Sequence, residues 1–409
     1  MSFRTTLIVL NILALAVIAG VILWRVFSLK RDQEPTPANL TKFLEDDDLE
    51  GRRLERVLGW SLLFVLVVAI SLPVYFLVEP NRQVVAKDAF LTRSEERGAI
   101  LFANTQSPAY VSTKSLLCAN CHGTKAEGGA APYVLQPESD LCIKKQNQGN
   151  PDVPACLAQP VSWQAPALNT VLLRFNRAQV KRILNYGRPG TPMVAWGIVS
   201  GKGVLNEQSI DDLVNYLASL QIPSQQAQSI STQAVGEYRT GGKQLVKQQR
   251  AALTTAQADL AKTQADRTAT AKSKAQAQAA VVSAQVRYDA AVAYDAEVRA
   301  LSDGAVLFRL NCARCHTKGW SYYDPTNVKV PAPAPQGSGA YGPNLTGGST
   351  KIQFPGKAGV QKQFDWVALG VPENQQYGVR GISSGRMPHF ASQLDEAEIK
   401  AIVKYERSL

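Results

Sequence analysis

Two long apolar runs open the chain, and everything after them is patterned at shorter range. Leu7–Trp24 is apolar for 18 residues apart from Asn11, and Val57–Val78 runs for 22 residues with Pro73 inside it. A bilayer core of about 30 Å needs roughly 20 such residues. The two runs therefore predict a transmembrane hairpin over residues 1–80. A cleaved leader is the alternative for the first run, because Met1–Arg4 places one positive charge ahead of it. Its length, and the lack of a small-x-small site before the polar loop, favour a retained span.

Beyond residue 87 the pattern becomes that of short amphipathic helices, and it occurs twice. Gly98-Ala99-Ile100-Leu101-Phe102 has its counterpart in Gly304-Ala305-Val306-Leu307-Phe308. A closing helix is expected over Ser209–Gln221, with Tyr216, and again over Asp395–Leu409, with Tyr405. Between the copies, from about Tyr238 to Ala300, Ala, Gln, Lys, Thr and Asp dominate, with no proline and no glycine after Gly242. That composition favours long helix. A thin apolar stripe (Val246, Leu253, Leu260, then Val281, Val286, Val292) suits a contact between two helices, and it fades around Thr268–Ser273. One continuous helix of about 60 residues would reach about 90 Å, whereas a hairpin returns the chain to its start. The hairpin is favoured because it lets the flanking copies sit together. The expectation is an all-α chain with a hairpin at 1–80, modules at 87–225 and 301–409, and a helical coiled-coil insertion at 232–300.

Each copy carries a C-x-x-C-H motif: Cys118-Ala119-Asn120-Cys121-His122 and Cys312-Ala313-Arg314-Cys315-His316. This is the attachment signature of a c-type haem, in which two cysteines form thioethers and the histidine ligates iron. A zinc site would need further Cys or His ligands nearby, but the chain has 3 histidines and two of them follow these cysteines directly. Apart from the initiator, the only methionines are Met193 and Met387, each 71 residues beyond its motif histidine. They stand in loops rich in Gly and Pro, which suits irregular backbone approaching a haem edge. His389, two residues past Met387, is the rival ligand in the second copy.

A Gly-x-x-Leu-Phe helix, C-x-x-C-H, a distal methionine and a C-terminal aromatic helix resemble the class I cytochrome c domain, over roughly Lys87–Gln221 and Leu301–Leu409. The resemblance implies two covalently attached haem c groups with His122/Met193 and His316/Met387 as axial pairs. It also implies a proline carbonyl accepting each histidine's ring N–H; Pro343 fits that role well and Pro166 less closely.

Seven Lys/Arg lie between the apolar runs, against only Arg4 before them, which puts that loop in the cytoplasm and both termini outside. Cys142 and Cys156 suit a local disulfide in an oxidising compartment, with a pair of buried thiols as the alternative. The net charge of +11 comes with no nucleic-acid module; it suits an acidic redox partner or anionic lipid headgroups. No copper-ligand cluster stands outside the haem motifs, and with protein ligands on both faces of each iron no small-molecule substrate is expected. The role resembles that of dihaem cytochrome c subunits in actinobacterial-type quinol:cytochrome c reductase and oxidase supercomplexes, which implies a quinol-oxidising complex and haem-copper oxidase subunits as partners. A dihaem enzyme with one open iron, a tethered shuttle and a scaffolding subunit are the alternatives.

Overall fold

The computed structural model describes residues 50–135, 158–327 and 329–409, with isolated positions among 13–46 and Cys142 and Gln148. The expected first span lies for the most part outside the described residues, and of the expected hairpin the second apolar run is described. The chain divides into two units, Met1–Val84 and Val85–Leu409.

Helix α1 (Arg52–Phe102) is longer than the sequence pattern predicts: its 51 residues take in the second apolar run and the Gly98–Phe102 repeat without a break, with Pro73 and Pro80 inside it. Among the described residues it is the helix long and apolar enough to cross a membrane, and its apolar stretch is wholly exposed.

The first module is built where the end of α1 crosses α4 (Glu207–Ser219). Gly98 makes the crossing possible: a Cβ there would lie 2.1 Å from the Asp212 carbonyl oxygen. The contact is fastened by buried Asp212, which accepts from Ser94 Oγ at 2.6 Å and from Arg97 at 2.6 and 2.7 Å. Phe102 and Tyr216 meet at 5.6 Å between ring centroids. Around them pack Ile210, Leu213 and Leu217 of α4 and Val180 and Leu184 of α3 (Arg177–Tyr186). Asn176 and Gln179 start α3 with a reciprocal capping box.

The second module repeats the plan. Helix α7 (Asp303–Asn311), capped by Ser302, crosses α11 (Glu396–Glu406), capped by Asp395 and Glu398. Gly304 sits at the crossing, where a Cβ would lie 2.2 Å from the Ala401 carbonyl oxygen, and Phe308 meets Tyr405 at 5.4 Å. Phe308, Ile399, Ile402 and Leu394 are essentially free of solvent contact. Burial of each such side chain stabilises the module by about 1.5–3 kcal/mol. Helices α9 (Ser349–Gln353) and α10 (Gly356–Leu369) complete it.

The all-α expectation is corrected in two places. Strands β1 (Gly129–Leu135) and β2 (Gln159–Ala165) form an antiparallel ribbon with Tyr133 opposite Val161, and Gln376–Tyr377 pairs with Gly381–Ile382 as β3 and β4. Short alternating runs beside Gly and Pro give no helical period, and the ribbon's pairing partners lie far apart in sequence. Cys142, between β1 and β2, is disulfide-bonded; its expected partner Cys156 lies outside the described residues.

The insertion is a hairpin. Helix α5 (Ser224–Ala265) and helix α6 (Ala271–Ala300) pack antiparallel, with Tyr238 6.5 Å from Tyr294 and the Arg250 guanidinium 6.0 Å from the Tyr288 ring. The turn falls where the apolar stripe fades: Asp266 accepts from Thr268, and Thr270 caps α6 through the Ser273 amide. Helix α5 begins earlier than the composition suggested, and its first turns belong to the second module. Ser224 Oγ donates to the Ser392 carbonyl at 2.6 Å, Val235 joins that module's core, and Arg239 donates to the Leu301 carbonyl and pairs with Asp303.

Candidate haem sites

Within a helical turn, positions i, i+3 and i+4 share one face, and this is why two cysteines and a histidine at C-x-x-C-H spacing converge. Helix α2 (Ala119–His122) and helix α8 (Ala313–His316) are single turns of this kind, with Cys118 and Cys312 at their starts. The His122 amide donates to the Cys118 carbonyl at 3.0 Å, and His316 to Cys312 at the same distance. All four motif cysteines are free thiols.

Each histidine has its ring held by a proline. His122 Nδ1 is 2.9 Å from the Pro166 carbonyl oxygen, and His316 Nδ1 is 2.9 Å from that of Pro343. A carbonyl only accepts, so Nδ1 carries the proton and Nε2 keeps its lone pair for a metal. Pro166, the poorer match in sequence, makes the same bond as Pro343 although 44 residues separate it from its histidine, against 27 in the second module. Burial pushes both imidazoles below their ordinary pKa. Donation to the proline opposes that shift at each, and the Arg314 charge adds to it at His122. The shift favours the neutral imidazole, the form that metal ligation requires.

Met193 packs against the first core together with Cys118 and Trp196, and Met387 packs against the second. The Met193 loop is closed by the Arg188 amide donating to the Met193 carbonyl at 2.9 Å and by Thr191 Oγ1 accepting from the Met193 amide at 3.2 Å. Met193 also lines an open groove with Tyr186, Arg188, Trp196 and Val204. His389 stands beside Gly370, the residue that ends α10.

The residues present fit a haem c at each motif. Among the described residues the thiols are unpaired and no hydrogen bond engages either histidine Nε2, and the backbone of Gly342 lies so close over His316 that a Cβ would come 2.5 Å from its Cε1 atom. A further fit is ionic. Arg174 Nε is buried with no hydrogen-bond partner among the described residues, an arrangement that suits a bound carboxylate. Sequence reading missed Arg174, because nothing in its spacing marks it.

No curated protein and no solved structure matches the chain. Residues 299–405 match the family described as cytochrome C oxidase, cbb3-type, subunit III. That stretch covers α7, α8 and all but the last residue of α11, with the second C-x-x-C-H motif and Met387. Residues 299–405 are therefore a cytochrome c domain, which implies a covalently bound haem c and a role in electron transfer.

Proposed function

We propose that the chain is a membrane-anchored dihaem c-type cytochrome that passes electrons within a respiratory assembly, from a quinol-oxidising complex toward a haem-copper oxidase. One observation carries the reading: the histidine environment of the matched domain recurs, at the same 2.9 Å bond to a proline carbonyl, around His122. In this reading Cys118, Cys121, Cys312 and Cys315 would tether the haem groups, and the pairs His122/Met193 and His316/Met387 would ligate the irons.

The bound haem c supplies a one-electron couple, and the chain's residues set its surroundings. The proline carbonyls hold each imidazole in one tautomer and orientation. Met193 and Met387 would supply the second protein ligand to each iron, and a haem c held by histidine and methionine has a raised reduction potential. The long apolar helix supports a membrane anchor, and the oxidase family matched by residues 299–405 supports a respiratory partner. Haem c attachment is an extracytoplasmic process, which accords with both modules and both termini lying outside.

The test is purification from native membranes in mild detergent through a tag after Leu409. Two haems per chain by pyridine haemochrome assay, no carbon monoxide binding by the reduced protein, and co-purifying quinol-oxidising or oxidase subunits are expected. Met193→Ala and Met387→Ala should each lower the potential of one haem and open it to carbon monoxide. One haem per chain, or carbon monoxide binding by the unaltered protein, would replace this reading with a single-haem carrier or a dihaem enzyme.

A further inference from the structure

The two modules meet through the loops that carry their methionines, and each loop is held from the other side. Tyr341 donates its hydroxyl to the Gly190 carbonyl at 2.7 Å, at the tip of loop 188–193. Inside that loop the Arg188 carbonyl accepts from the Thr191 amide at 3.2 Å and from Thr191 Oγ1 at 2.8 Å, while the Arg188 amide donates to the Met193 carbonyl. The loop is a small closed unit, and the tyrosine ties it to the second module. Tyr341 is anchored in its turn. The Gly342 amide donates to the Cys315 carbonyl at 2.7 Å, and the Pro343 carbonyl accepts from His316 Nδ1. Residues 341–343 therefore grip the methionine loop of one module and the histidine of the other.

The converse contact comes from α3, which ends one residue ahead of loop 188–193. Gln179 Nε2 donates to the Gly385 carbonyl at 3.3 Å, two residues before Met387, and Arg182, on the same face of α3, pairs with Glu373 at 3.3 Å. Glu373 packs against the same glycine: a Cβ on Gly385 would come 3.0 Å from that of Glu373. The Gly385 amide donates to Ser383 Oγ at 3.1 Å, and that hydroxyl donates to the Val371 carbonyl at 2.7 Å. One helix thus leads into the first methionine loop and holds the second.

We propose that the two haem sites brace each other's methionine: Tyr341 of the second module is a positioning residue for Met193, and Gln179 of the first is one for Met387. The inference rests on the dihaem reading above. A methionine side chain is flexible and its thioether is an uncharged, weak donor, so its hold on a metal competes with any free ligand that reaches the site. A loop already fixed in the ligating position lowers the ordering cost of that bond. Because each hold comes from the opposite module, a change in one module loosens the methionine of the other.

The test uses the full chain in detergent, oxidised, with imidazole as the competing ligand followed by haem absorbance. Tyr341→Phe removes one hydroxyl from a side chain that is 56% exposed and leaves the ring in place. It should raise the apparent imidazole affinity of one haem about fivefold, the worth of one net hydrogen bond. The gain should vanish in a Met193→Ala background and persist in a Met387→Ala background, which assigns it to the first module and to its methionine. Gln179→Glu keeps the cap that this side chain gives the Asn176 amide and removes the donor to Gly385. Its gain, about twofold because the lost bond is longer, should vanish with Met387→Ala and persist with Met193→Ala. Unchanged imidazole affinity in Tyr341→Phe, or a gain that survives Met193→Ala, overturns the brace. One haem per chain, or Met193→Ala without effect on imidazole binding, overturns the dihaem reading and the brace with it. Two haems per chain, with Met193→Ala opening its site and Tyr341→Phe without effect, overturn the brace alone.

Discussion

The first and second modules hold their histidines with the same geometry and support them by different means. In the first, the repeat helix is the last stretch of a 51-residue helix, and it is secured by the buried Asp212 between Ser94 and Arg97. In the second, the corresponding helix has 9 residues, starts from its own Ser302 cap, and leans on the base of the α5–α6 hairpin. The first fills the stretch between motif and methionine with a β-ribbon and a disulfide-bonded Cys142; the second uses α9, α10 and a proline-rich loop. What both keep is the glycine crossing, the Phe–Tyr contact and the histidine–proline bond. The shared features position the ligands, and the divergent ones attach the modules to their surroundings.

The shared crossing gives the largest expected effect. Gly98→Val and Gly304→Val would drive side chains into backbone at 2.1 and 2.2 Å, each costing about 3 kcal/mol or more. Each variant should lose haem from its own module, and the haemochrome count would fall from two to one. Equal haem content in the Gly98 variant would break the equivalence of the two crossings.

Next come the features found on one side. Asp212→Ala removes the acceptor for Ser94 and Arg97, and because Arg97 is half exposed the loss is discounted to about 1–3 kcal/mol. Melting followed through each haem's absorbance should show the first module weakened and the second unchanged.

Glu406 provides a matching asymmetry in the second module. Burial raises its carboxyl from 4.5 to about 7, against a hydrogen bond from Gln363 Nε2 that works the other way. Between about pH 4.5 and 7 the folded chain holds a proton that the unfolded chain releases, so stability falls as pH rises through that window and levels off above it. Glu406→Gln should abolish that slope and stabilise the second module at neutral pH, on the order of 1–3 kcal/mol. A pH series of melts showing the same slope in the variant would place the proton elsewhere.

The smallest effect is expected at the hairpin tip. Only its base, through Ser224, Val235 and Arg239, packs on the second module. Replacing residues 250–286 with a short loop should change module stability by less than about 0.5 kcal/mol. Intact haem spectra with loss of co-purifying subunits would identify the tip as a docking element.

Much of the site could be read without a structure, because it depends on short spacing. The i, i+3, i+4 placement of Cys118, Cys121 and His122, and of Cys312, Cys315 and His316, is a property of one helical turn. The apolar run at Val57–Val78, the Gly98 and Gly304 repeats and the paired methionine loops are likewise local patterns. The hairpin's turn was visible as a fading stripe, since two helices that face each other need no apolar side chains where they part.

Tertiary structure decided whatever depends on residues distant in sequence. Pro166, 44 residues beyond His122, becomes the equal of Pro343 only because the pairing of β1 with β2 sets Ala165 opposite Gly129. Each methionine loop meets the other module, Tyr341 donating to the Gly190 carbonyl and Gln179 to that of Gly385, contacts that no local spacing predicts. Glu406 sits on a helix whose period predicts a buried face, but the depth of its burial is set by α7 and α10 packing over it. Spacing along a chain determines which side chains share a turn; which turns share a core is settled by burial of apolar surface across the whole fold.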